Sequence, residues 1–249
     1  MPNVAKNQPI VKFVLYAFAM TSLLIGIANL QYGTKLEEVK REGVDLMIAL
    51  DVSNSMLTED LSPNRLERAK RAIYQLIEKL HNDRLGIIVF AGEAYVQLPI
   101  TTDYSAAKLF LETIGTDIIP KQGTAIGSAI DLAMESFDFE NSTSKSIIVI
   151  TDGENHEDDA VKSAEAAAEM GVLVHTIGMG SKGGAPIPIY RNGKQMGFRT
   201  DNANNTVVSK LNESMLKEIA TAGEGTYVRA TNANAGLSII MNEINQMEK

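Results

Sequence analysis

The sequence predicts an α/β protein. Its expected architecture is a doubly wound, mostly parallel central sheet with one antiparallel edge strand and helices on both faces, plus an inserted β-hairpin and an N-terminal transmembrane helix. Three observations carry this expectation. Short apolar runs of strand length alternate with segments whose apolar residues recur at helical spacing. The runs at 44–50 and 146–150 end on Asp, Ser, Thr and Gly, where a strand end meets a helix start. Near the amino terminus stands one stretch that is apolar all round.

That stretch comes first in the chain. Residues 13–30 hold 18 consecutive uncharged residues, and the run reaches 21 from residue 10 if Lys12 snorkels to the interface. A secretory h-region is shorter, at about 7 to 15 residues, and Ala28-Asn29-Leu30 is a poor cleavage site. A membrane span is therefore expected over 10–30, after a tail of residues 1–9. The flanking charges, Lys6 and Lys12 before it and Lys35, Lys40 and Arg41 after it, do not decide orientation. If no other span precedes it, an amino-terminus-in anchor puts the domain outside the cytoplasm. Residues 31–43 read as a charged juxtamembrane connector.

The body, residues 44–230, begins with the strand at 44–50. Ser62-Pro63 is expected to cap a helix whose stripe is Leu66, Ala69, Ile73, Ile77 and Leu80. A buried strand follows at 85–91. The run 93–98 comes after only Gly92, too short a connection for a crossover, so it is expected to pair antiparallel at an edge. Helices are expected at 104–114 and 125–137, a strand at 146–150, a helix near 157–169 and a strand at 172–177. Pro186 to Tyr190 and Gln195 to Arg199 flank Asn192-Gly193, a strong hairpin signal, within an insertion at about 184–208. A helix near 211–222 and a strand at 225–229 complete the body. Within 231–249, a last helix at 233–247 carries Leu237, Ile240, Met241, Ile244 and Met247 on one face, to pack on the sheet or lead into another span.

The chemistry gathers at strand ends. Asp51-Val52-Ser53-Asn54-Ser55 closes the first strand with a carboxylate and two hydroxyls, Gly123-Thr124 opens a helix, and Thr151-Asp152-Gly153-Glu154 closes the strand at 146–150. Each alone is an ordinary turn or cap sequence. Together, on the carboxyl edge of one sheet, Asp51, Ser53, Ser55, Thr124 and Asp152 form a donor set suited to a hard divalent cation such as Mg²⁺ or Mn²⁺.

At these five residues the chain resembles the von Willebrand factor A-type (VWA) domain. That family's metal-ion-dependent adhesion site (MIDAS) is read as Asp-x-Ser-x-Ser, a loop threonine and a later aspartate. The resemblance covers roughly residues 44–230. It implies that Ser53, Ser55 and Thr124 bind the metal through their hydroxyls, that Asp51 and Asp152 hold it directly or through water, and that a partner's Asp or Glu completes the coordination. The insertion, the stretch Thr206 to Leu211 and the preceding span make the chain similar to the Bat-type aerotolerance membrane proteins. This narrower resemblance implies a bacterial membrane assembly with other VWA proteins and a MoxR-type AAA ATPase.

Composition excludes other classes. A net charge of -8 and pI near 5.0 argue against a nucleic-acid footprint. No cysteine is present, so disulfides, thiolate metal sites and cysteine nucleophiles are excluded. His81, His156 and His175 lack metal spacing and read as structural or surface residues. A non-enzymatic binding module is the expected function. Two alternatives are a phosphoryl-transfer enzyme using Asp51 and a scaffold with an unused metal site. The enzyme is disfavoured because Ser53 stands where a phosphatase of the haloacid-dehalogenase type has its second aspartate, and because no G-x-x-x-x-G-K-[ST] loop occurs.

Overall fold

The structure, a computed structural model, describes residues 8–27, 43–154, 158–191, 193–231, 239–241 and 243–244. It divides into two units, 1–40 and 41–249. In the first, α1 (Gln8–Ile27) is a 20-residue helix with no buried residue. At ~1.5 Å per residue it is long enough to cross a bilayer core, and its apolar composition suits one. Its Thr21 hydroxyl donates to the Ala17 carbonyl at 2.7 Å, so this polar group is satisfied within the helix itself. The expected span began at residue 10; the helix begins at Gln8, and residues 28–30 lie outside those described. The connector lies outside them too, apart from Gly43.

The second unit is built on a six-stranded sheet. In chain order its main elements are β1 (Asp45–Asp51), α2 (Arg65–Ile77), β2 (Arg84–Phe90), β3 (Ala94–Thr101), α3 (Tyr104–Thr113), α4 (Ile126–Ser136), β4 (Lys145–Thr151), α5 (Ala160–Glu169) and β5 (Val172–Gly178). After β5 come β6 (Ala185–Pro186), β7 (Pro188–Arg191), β8 (Lys194–Phe198), β9 (Val208–Ser209), α6 (Glu213–Ala222) and β10 (Glu224–Arg229). The sheet order is β10-β5-β4-β1-β2-β3, parallel except for β3, the antiparallel edge strand on β2.

β1 is buried along its whole length because both sheet faces are covered. Leu46, Ile48 and Leu50 point into one layer with Leu66, Ile73 and Leu76 of α2 and Leu111 of α3. Met47 and Ala49 point into the other, with Ile126 and Ile130 of α4, Ala164 of α5 and Leu216 of α6. Ile48→Ala is expected to cost about 2–5 kcal/mol, read as a lower urea midpoint at unchanged slope, because so enclosed a site cannot collapse around the lost volume. Asp45, the one carboxylate at the buried start of β1, is compensated: Arg84 Nε donates to it at 2.6 Å and Thr143 Oγ1 at 2.9 Å.

Some expectations are corrected. The cap of α2 is Asn64, not Ser62, with its side chain accepting from the Glu67 amide, and Pro63 stands before the helix rather than in it. An Asn side chain at this place reaches the amide of the third helical residue, Glu67, and so sets the first helical residue at Arg65. Leu80 lies beyond the helix end but is still buried. A short 3-10 turn, Asn54–Leu57, follows β1. The insertion contains two ribbons where one was expected: β7 pairs with β8 as the hairpin, and β6 pairs with β9 beneath it. Asn192 of the hairpin turn is outside the described residues, while Gly193 takes a φ of 73°. Of the last helix, Ile240, Met241 and Ile244 are described, and all three are buried in the α2 layer; Leu237 and Met247 lie outside.

Candidate metal centre

The carboxyl ends of β1 and β4 lie side by side, and this adjacency assembles the site. Asp51 closes β1. Its Oδ1 accepts from the Ser53 amide at 2.8 Å and its Oδ2 from the Thr151 hydroxyl at 2.6 Å, both within the buried interior. Ser53 precedes the 3-10 turn in capping position, yet its hydroxyl caps nothing. It pairs instead with the Ser55 hydroxyl at 2.9 Å. Both serines are buried, so two hydroxyl oxygens are held together where solvent barely reaches.

Thr124 is buried in the loop before α4. It does not cap that helix: the capping residue is Ala125, which offers no side chain. The first amides of α4 are satisfied from elsewhere, since Asp158 accepts from Gly127 N at 2.9 Å and Ser128 N at 2.7 Å. The loop is tied to the other edge loops. Ala125 N donates to Ala91 O at 2.8 Å, Gly92 N to Lys121 O at 3.0 Å, and Asn54 N to the Gln122 side chain at 3.0 Å. Gly123 takes a φ of 136°, a conformation that favours glycine. Gln122 thus joins the Thr124 loop to the Ser53–Ser55 loop.

Asp152 is fully buried just past β4. Its Oδ2 accepts from Arg65 Nη1 at 2.9 Å and from the Ser209 hydroxyl at 3.0 Å; its Oδ1 accepts from the Glu154 amide at 3.2 Å. The acids Asp51 and Glu154 both feel the charge of Asp152. Burial, and after it the charge of Asp152, pushes the Asp51 carboxyl up to about 7, against hydrogen bonds from Thr151 and Ser53 that lower it. Burial and then Asp152 also push Glu154 up. Among the described residues no group of three His, Asp or Glu side chains comes together, so the oxygens on offer are mostly hydroxyls.

Sequence reasoning missed Arg65, Thr151 and Ser209. Arg65 was readable in part, because Arg65, Ala69, Ala72 and Leu76 share one helical stripe and all are buried. Of the three histidines, His175 is buried on β5 and accepts from the Thr226 amide at 3.0 Å, a structural role; His81 is exposed, and His156 lies outside the described residues.

The profile of the von Willebrand factor type A domain matches residues 46–154, from within β1 to just past Asp152. The chain is 51% identical to an aerotolerance-related membrane protein from Bacteroides fragilis, with a TM-score of 0.78 over 82% of this chain and 100% of that one. The chain belongs to the VWA family. BatB from Bacteroides thetaiotaomicron is similar at 52% identity, with a TM-score of 0.78 over 82% of this chain and 98% of that one. Among curated relatives, an uncharacterized protein of Borreliella burgdorferi is 34% identical over 142 residues, which is 56% of this chain and 41% of that protein. The chain thus spans less than half that relative's length. The mussel byssus proximal thread matrix protein 1, solved with a zinc-occupied MIDAS motif, is 18% identical and shares the fold, with a TM-score of 0.58 over 83% of this chain and 45% of that one. This VWA domain accompanies a helix fit to cross a membrane, and the Bacteroides fragilis relative is a membrane protein.

Proposed function

We propose that this chain is a membrane-anchored, non-enzymatic interaction module in which a divalent metal, Mg²⁺ or Mn²⁺, held at the sheet edge, binds an acidic side chain of a partner protein. The observation that carries the reading is a pair of buried, mutually repelling acids, Asp51 and Asp152, at the strand end where the Ser53 and Ser55 hydroxyls meet. Asp152 shares the Arg65 guanidinium with Asp60, and Asp51, whose carboxylate accepts from Ser53 and Thr151, is forced up to about 7 by burial and then by Asp152. A divalent cation would offset that repulsion. Ser53, Ser55 and Thr124 would supply hydroxyl oxygens to it, with Asp51 and Asp152 contributing charge directly or through water. The metal's chemistry is electrostatic: it offers a positive centre of fixed geometry to a carboxylate.

The insertion favours an acidic partner as well. Arg191, Lys194 and Arg199 stand against a single acid there, Asp201, in a chain of net charge -8. The exposed side chains of Ile189, Tyr190, Met196 and Phe198 add apolar contact area on the hairpin. Likeness to Bat proteins supports an assembly with other VWA proteins and a MoxR-type AAA ATPase at a bacterial inner membrane; an amino-terminus-in first span would put the domain on the periplasmic side. The phosphoryl-transfer alternative gains no support from the site, where the Ser53 and Ser55 hydroxyls pair with each other and no second acid stands two residues after Asp51.

The test is cross-linking in native membranes with the tagged chain, in Mg²⁺ and after chelation, beside Thr124→Ala. Partners captured in Mg²⁺ should be lost both on chelation and in the variant. An identical partner set under all three conditions would show the metal to be irrelevant to binding.

A further inference from the structure

The buried guanidinium of Arg65 is unusual in being fully used. Nε and Nη2 donate to the two oxygens of Asp60, each at 2.9 Å. Nη1 donates to Asp152 Oδ2 at 2.9 Å and to the Ser209 hydroxyl at 2.6 Å, and Nη2 also reaches the Ser209 carbonyl at 3.2 Å. All five N–H donors of an arginine are thereby placed, which a lysine with its three donors cannot reproduce. Room for the group is built into the backbone: a Cβ on Gly180, whose φ is 130°, would lie 2.8 Å from the guanidinium.

The partners of Arg65 come from separate parts of the chain. Asp152 belongs to the candidate metal site, Asp60 to the loop before α2, and Ser209 to β9. Asp60 Oδ2 also accepts from the Ser181 amide at 2.7 Å. Ser181 and Ser209 lie at the two ends of the insertion, and Ser209 pairs with Ala185 across its basal ribbon. One side chain therefore holds the candidate-site carboxylate Asp152 and one end of the insertion directly, and the other end through Asp60.

We propose that Arg65 is a positioning residue of the metal site: with Ser209 it orients the Asp152 carboxylate and links metal occupancy to the base of the insertion. The inference rests on the metal-site reading above. A mere counter-charge would act in the opposite sense, since removing a cation beside a metal site strengthens the site's attraction for another cation. Ser209→Ala and Arg65→Lys both keep the positive charge, so a mere counter-charge predicts unchanged affinity in them where positioning predicts weaker binding.

The experiment is Mg²⁺ titration by calorimetry of the full chain in detergent, as wild type, Ser209→Ala and Arg65→Lys, paired with hydrogen exchange over residues 181–210. Outer-shell partners of this kind are worth roughly 10- to 100-fold in metal affinity. Ser209→Ala is expected to weaken Mg²⁺ binding about tenfold and Arg65→Lys at least as much. Mg²⁺ should slow amide exchange at both ends of the insertion in the wild type and leave it unchanged in Ser209→Ala. If Arg65→Lys does not fold, Ser209→Ala, which keeps the charge and the packing, decides. Variants that bind as tightly as or more tightly than the wild type overturn the positioning role while leaving the metal site standing. Absence of binding by the wild type overturns both.

Discussion

Asp51→Asn is expected to abolish the thermal stabilisation that Mg²⁺ confers while leaving the metal-free domain folded. In the wild type, Mg²⁺ at a hundredfold excess over its Kd should stabilise by about 2.7 kcal/mol, because the ion binds only the folded chain. For a domain of this size that corresponds to a rise of about 5–10 °C in Tm. The metal-free variant is expected to melt no lower than the metal-free wild type at pH 8. The carboxylate it removes is fully buried and is opposed by Asp152, so its charged form is a liability without a cation. Differential scanning fluorimetry with and without EDTA reads both quantities. A variant that keeps the Mg²⁺ increment would place the ion elsewhere.

Mg²⁺ affinity is expected to fall about tenfold for each pH unit below 7, so that at pH 5.5 it is roughly 30-fold weaker than its plateau. The cause is the Asp51 carboxyl, pushed up to about 7 by burial and then by Asp152, which must lose its proton before it can face a cation. The sign for stability follows from the same shift. The folded value lies above the ordinary carboxylate value of 3.8, so the metal-free fold binds the extra proton. The stability this contributes is fully present below about 3.8 and is lost as pH rises through about 7. The Tm difference between Mg²⁺-loaded and metal-free protein should therefore widen from pH 5.5 to 8. A pH-independent difference would mean that Asp51 is already ionised across that range without the metal.

The strands were legible because strands covered on both faces need uninterrupted apolar runs, and β1 and β4 have them. The edge position of β3 was legible from the short connection at Gly92, which cannot carry a crossover. The five oxygen-bearing residues were legible as a set because each stands where a strand end meets a helix start. The true cap of α2 was not, since Ser62, Pro63 and Asn64 are all good residues for a helix start and only the Glu67 amide chooses among them. The β6–β9 ribbon escaped notice because two-residue strands carry no period. Arg65 escaped because a charged side chain in a helix is ordinarily solvated, and its partners lie 87 and 144 residues away in sequence.

By itself the sequence determined the α/β class and the apolar N-terminal helix, and it singled out the oxygen-bearing residues of the candidate site, because apolar period and residue type at strand ends are local properties of the chain. Only the tertiary structure decided that the Ser53 and Ser55 hydroxyls face each other, that Thr124 is excused from capping by Asp158, and that Asp152 is shared with Arg65 and Ser209. Those outcomes depend on which distant groups compete for the same donors and acceptors once water is excluded, and that competition is settled only when the β1 and β4 ends and the base of the insertion have packed together.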